Sequence, residues 1–215
     1  MSRRLPSRWR GLWGTLLGAI LVALMCWGSG CATGPPSDPD NLCSIFRQRT
    51  GWYRASRASA ERWGVPEAVQ LAIIHQESRF VADARPPRGR FLWIFPGSRP
   101  SSAYGYGQIL DGTWDEYRRS VGRSGASRDD FGDVVDFIGW YGNTAHRRAG
   151  IARNDAGALY LAYHEGIGGY SRGSHTEKAW LLPVAWKVDA RAGRYQTQYD
   201  GCRKSLERKR FLGIF

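Results

Sequence analysis

Several signatures are missing from this sequence, and each absence removes a class of protein. No stretch alternates apolar and polar residues convincingly at period two, and no segment repeats, which sets aside sandwiches, barrels and solenoids. The four histidines (His75, His146, His164, His175) never form a ligand-spaced pair with a carboxylate between them, the pattern a zinc-hydrolase helix requires. The serine-rich stretches hold no nucleophile elbow, and no glycine-rich turn ends in Lys-Ser or Lys-Thr to cradle a phosphate. Neither a metal nor a cofactor is therefore expected. Cysteine is scarce, with 4 residues in 215. Acid is absent from residues 1–30, which instead carry Arg3, Arg4, Arg8 and Arg10.

Positive charge is what the chain has in excess: 31 Lys and Arg against 19 Asp and Glu, a net +12. A basic balance suits a polyanion, an anionic membrane surface or an acidic polymer, and does not choose among them. The leader argues against nucleic acid as the partner. Residues 11–27, GLWGTLLGAILVALMCW, form an apolar run after the arginines, followed by Gly-Ser-Gly and Cys31. A basic start, an apolar run and small residues describe a secretory signal over 1–30. The cysteine after Gly-Ser-Gly resembles a bacterial lipobox, with Gly28 departing from its usual leucine, so Cys31 is expected to be a lipidated first residue and membrane anchor. A plain cleaved signal or a retained anchor helix is the alternative. Export makes the remaining pair, Cys43 and Cys202, the expected disulfide across the domain. Alanine after Cys31 resembles the pattern of outer-membrane sorting, which places the protein in the periplasm.

Residues 31–41 are small, polar and proline-rich, and read as a flexible tether. From Leu42 to residue 203 the sequence reads as one mainly α-helical domain, large enough to bury its own core. Helices are expected over 53–63, from Pro66 through Glu77, over 111–121, after Ser127-Arg128-Asp129-Asp130, over 154–164, and over 177–195 with a kink at Pro183. Residues 85–107, with four prolines and four glycines, read as a long irregular loop. Residues 204–215 read as a basic tail.

The chemistry centres on LAIIHQESRF, residues 71–80, where an apolar helical face runs into Glu77. A carboxylate set against Ile73 and Ile74 one turn earlier loses water, and desolvation raises its pKa. A glutamate so raised holds a proton near neutral pH and can hand it to a leaving group. The duller reading is a solvated helix-end acid paired with Arg79. Two glycine turns follow downstream, SAYGYGQI at 102–109 and LAYHEGIGGY at 161–170. Ten tryptophans and ten tyrosines supply rings for sugar faces or for the core. His75 reads as a satisfied or solvent-facing side chain.

Glu77-Ser78 closing an apolar helix, Gly105-Tyr106-Gly107-Gln108 in a turn, and Ala162-Tyr163-His164-Glu165-Gly166, in that order, resemble the lytic transglycosylase family of the soluble, goose-lysozyme-related type. The resemblance covers about residues 60–190 and implies an all-α, lysozyme-like fold. It implies a monomer that cleaves the β-1,4 bond between N-acetylmuramic acid and N-acetylglucosamine in peptidoglycan, leaving 1,6-anhydro-muramic ends. By the same resemblance Glu77 is the acid and base, while Ser78, Gly105, Tyr106, Gln108, Tyr163 and His164 contact substrate. His164 and Glu165 depart from the family's Asn-Ala. Two rivals stand: a hydrolytic muramidase of the same fold, whose second carboxylate would come from Asp111, Asp115, Asp133, Asp136 or Glu165, and an inert wall-binding lipoprotein.

Overall fold

A computed structural model of the chain describes residues 34–88, 90–91, 95–96 and 99–211; the leader, Cys31 and residues 212–215 lie outside them. Among the described residues the fold is mainly helical, in agreement with the all-α expectation. Helix α1 (Leu42–Gln48) starts at Asn41, whose side chain accepts from the Ser44 amide. Helix α2 (Thr50–Trp63) stops at Gly64. Helix α3 (Glu67–Ser78) begins after Pro66, which stands in extended conformation as the cap rather than at the first helical position. Every residue of α3 from Glu67 to His75 is buried. A helix buried on every side along most of its length is a core helix.

Helices α4 (Asp111–Val121) and α5 (Phe131–Ala149) follow the long loop. The cap of α5 is Asp130, which accepts from the Asp133 amide, so Ser127 lies before the helix instead of capping it. Helices α6 (Ala156–Glu165) and α7 (Ile167–Ser171) are divided by Gly166, and a 3-10 turn (Ser174–Glu177) leads into the 31-residue α8 (Leu181–Phe211). Pro183 is the third residue of α8, within the first turn, where its missing N–H has no intrahelical partner to lose, so the expected mid-helix kink has no cause there. The helix also runs across residue 203, and residues 204–211 extend it with Leu206 buried.

The core is more aromatic than aliphatic around the site. Trp52 stacks on Phe131 at 3.9 Å between ring centroids and packs against Phe80 and Tyr106. Tyr117, Phe137 and Trp140 form a second cluster. Trp180 and Trp186 are the exposed tryptophans among the described residues. Residues 34–41 are not a loose tether: Pro36 is buried, Ser37 bonds Gln48, the Tyr195 hydroxyl donates to the Pro39 carbonyl, and Arg191 pairs with Asp40. These contacts offset the chain entropy that a proline-rich segment would otherwise keep. Cys43 and Cys202 form the expected disulfide, joining α1 to α8 with their Cα atoms 6.1 Å apart. The loop expectation for 85–107 holds in the main, with a two-residue antiparallel pair, β1 (Arg90–Phe91) and β2 (Phe95–Pro96), and a single bridge between Tyr104 and Ile109.

Candidate active site

Glu77 sits in the last turn of α3, one residue before its end. The helix stops there because Arg79 and Phe80 both take positive φ, 52° and 65°. Left-handed backbone costs a non-glycine residue roughly 1–2 kcal/mol. Full burial of Phe80 against Trp52 contributes about 2 kcal/mol in return and fixes the direction in which the chain leaves. Gln108, with φ 47°, is the other non-glycine residue of this kind among the described residues, so the strained positions all lie at this site.

Burial pushes the Glu77 carboxyl up to about 7, partly opposed by a hydrogen bond from Tyr160 that favours the ionised form. No neighbouring acid contributes to that rise. The same proximity acts on the partner: burial and the Glu77 charge raise the Tyr160 phenol far above its usual range. Tyr160 is the side chain that reading the sequence missed. It stands three residues before Tyr163 on α6, a spacing that puts both on one face of the helix.

Tyr163 points at the turn rather than bonding the acid. Its hydroxyl donates to the Gly107 carbonyl at 2.7 Å, and the Glu77 charge adds to the burial that raises its phenol. The turn itself is built for close approach. Gly105 has φ 78°, and a Cβ there would stand 1.9 Å from the Arg128 carbonyl oxygen. A Cβ on Gly107 would meet the Tyr163 hydroxyl at 2.9 Å. Glycine at both positions is therefore a requirement of packing as well as of backbone angle.

Gln108 spends its amide nitrogen on the Ala84 and Gly105 carbonyls, at 2.8 and 3.0 Å, and so clamps the turn to the strand of chain leaving Phe80. Tyr106 is buried edge-on against the Trp52–Phe131 stack, so its ring stiffens the turn from behind and offers no face to a sugar. The expectation that Tyr106 contacts substrate is corrected in that respect. Ser78 makes a long bond, 3.4 Å, back to the Ile74 carbonyl. His164 lies at the exposed end of α6, bonded to Glu165 at 2.9 Å and edge-on to Trp180.

The acids proposed for the hydrolytic alternative are committed elsewhere. Asp111 pairs with Arg128 and Asp115 with Arg118. Asp133 pairs with Arg123, and Asp136 accepts from Trp63 and Tyr117. Glu165 is held down to about 2 by Lys178 first, then by Ser174 and His164. All 19 acidic residues fall among the described residues, and among these there is no cluster of His, Cys, Asp and Glu able to hold a metal.

The arrangement is thus one half-buried, protonatable carboxyl group, one tyrosine bonded to it, and a glycine turn held by a second tyrosine. A family model described as the transglycosylase SLT domain matches residues 19–202 of the chain. No curated protein matches it.

Proposed function

The chain belongs to the transglycosylase SLT domain family, whose members cleave the glycan of peptidoglycan, and we propose that it breaks the β-1,4 bond between N-acetylmuramic acid and N-acetylglucosamine with a single carboxyl group. Protonated Glu77 gives its proton to the glycosidic oxygen, and the N-acetylglucosamine leaves with a free 4-hydroxyl. The 2-acetamido carbonyl of the muramic residue stabilises C1 as the bond breaks. Glu77, now ionised and accepting from Tyr160, takes the proton of the muramic C6 hydroxyl, whose oxygen closes on C1 as the 1,6-anhydro ring. The acetamido group occupies the role that a second carboxylate fills in two-carboxylate glycosidases.

The observation that carries this reading is the solitary rise of Glu77 to about 7 by burial, with no second acid coupled to it. A hydrolase needs a base to activate water, and each of the candidates is held in an ion pair. An inert binding module has no use for a desolvated acid, which weakens the fold above neutral pH. Mass spectrometry of the products from purified sacculi is the test. Anhydro-muropeptides are expected; reducing muramic ends alone would replace the reading with hydrolysis, and intact glycan with retained binding would replace it with the inert module. The same proposal places the protein in the periplasm as a monomer, held to the outer membrane through Cys31, and mass measurement of the processed amino terminus decides the anchor.

A further inference from the structure

The side of α3 turned away from Glu77 borders a second cavity. His75 on α3 and Arg79, the left-handed residue that ends the helix, face Lys187, Arg191 and Arg194 of α8 across a space of about 410 Å³. Glu77 lies roughly 200° around the helix from His75, so the cavity opens away from the candidate acid. Four permanent cations share this wall. Asp40 pairs with Arg191, while no ion-pair partner for Arg79, Lys187 or Arg194 is found among the described residues. His75 adds no charge: burial first, then the field of Arg191, lowers its pKa to about 4, which makes its 3.7 Å approach to Asp40 a contact of a neutral ring. Like charges gathered in a concave site repel unless an anion enters it.

Two further features say which anion. Trp186, 69% exposed, stands one turn before Ala190, which lines the cavity, so a large ring projects from its rim. An aromatic ring above a row of Lys and Arg is the composition of a surface that meets the headgroup layer of a bilayer. Asp40 follows Cys31 by nine residues and the end of the apolar run at Trp27 by thirteen. Residues 34–41 are docked, so the chain from Trp27 to Gly34 is seven residues, which reach at most about 25 Å, and a leader or lipid seated in a membrane keeps the domain within that reach of it. We propose that the cavity between α3 and α8 is a site for the phosphate of an anionic membrane lipid, with Trp186 lying at headgroup depth beside it. Glu77 then faces away from the bilayer. This inference does not rest on the chemistry assigned to Glu77.

The test uses the full chain reconstituted in phosphatidylcholine vesicles to which phosphatidylglycerol brominated on its acyl chains is added. Quenching of the emission due to Trp186, taken as the difference from Trp186→Phe, is followed against the mole fraction of brominated lipid. Saturable quenching is expected, and Lys187→Glu/Arg194→Glu should raise the half-saturating fraction at least about 25-fold, since each basic residue near an anionic surface is worth about five-fold in affinity and reversal adds repulsion to that loss. Both side chains are exposed, and digestion of soluble glycan fragments by this variant should be unchanged. Equal quenching by brominated phosphatidylcholine would overturn the site, because proximity alone would explain it. Relief of quenching by free inorganic phosphate at the same concentration would overturn the lipid in favour of a small anion. Relief by soluble peptide-bearing muropeptides would assign the cavity to the wall instead.

Discussion

At the scale of single residues, the functional reading reduces to the protonation of Glu77. Its pKa is raised from the ordinary carboxylate value to about 7, so the protonated form is the one the fold favours. Stability linked to this group is fully present below about pH 4.5 and is lost as pH rises toward 7. Glu77→Gln should therefore cut lysis of sacculi by about 10²–10⁴-fold, and raise the unfolding free energy at pH 8 relative to pH 4 by up to about 3 kcal/mol. Denaturant titrations at the two pH values, beside a turbidity assay, measure both. Equal stability gains at pH 4 and pH 8 would show that the group is not desolvated. Activity of the unaltered protein should fall along a single limb with a midpoint near pH 7. Tyr160 supplies the hydrogen bond that lowers the Glu77 pKa, so Tyr160→Phe should move that limb to higher pH. A limb that stays in place, with only the rate reduced, would make Tyr160 a packing residue. His75 obeys the opposite sign: its stabilising neutral state is present above about pH 6.5 and is lost on acidification toward 4.

Elements rather than residues hold the acid in place, and the turn at 105–108 is the one with the narrowest tolerance. Gly105→Ala would put a methyl group 1.9 Å from the Arg128 carbonyl at a φ of 78°, and should destabilise the domain by about 2–4 kcal/mol, read from thermal or urea unfolding. Gly107→Ala meets a hydroxyl and the Ile109 side chain at about 3 Å, both able to yield, so it should lower turnover more than stability. A pair of variants behaving the other way round would mean that Tyr163 does not depend on this turn. These elements were legible in the sequence to different degrees. Glycines at 64 and 122 end their helices at the positions the sequence suggests, because a left-handed cap is a local requirement. The apolar approach to Glu77 gave the acid, because desolvation follows from helical spacing alone. Local patterns failed where tertiary packing decides. Ser127 reads as a cap but Asp130 is one, and Tyr106 reads as a substrate contact but packs edge-on against the Trp52–Phe131 stack. Tyr160 looks like any core aromatic until α6 is packed against α3, although its spacing from Tyr163 was the available signal. The short α1 and the two-residue strands are too brief for any period to show.

For the molecule as a whole, the question is what keeps α8 against α3, since α3 carries the acid and α8 spans 31 residues from Leu181 to Phe211. Burial of Leu181, Val188, Tyr195, Tyr199 and Leu206 supplies the continuous seam. The Tyr199 hydroxyl bonds Glu67 at the start of α3, a polar link inside that seam. Cys43–Cys202 then ties α8 to α1 across a sequence separation of 159. A bridge over so long a loop acts mainly on the unfolded chain, and the loop-entropy relation assigns it about 5 kcal/mol at 25 °C. For a domain of this length that corresponds to a fall of about 10–20 °C in Tm on its removal. Cys43→Ser/Cys202→Ser, or the unaltered protein in reductant, should show this fall in calorimetry, with a larger denaturant slope because the freed chain exposes more surface. Docking of residues 34–41 and the aromatic core are independent of the bridge, so glycan cleavage at temperatures well below the new Tm should stay within about two-fold of its starting value. Loss of cleavage at low temperature with the fold intact would mean that the bridge sets the position of α3, and not merely the freedom of the unfolded chain.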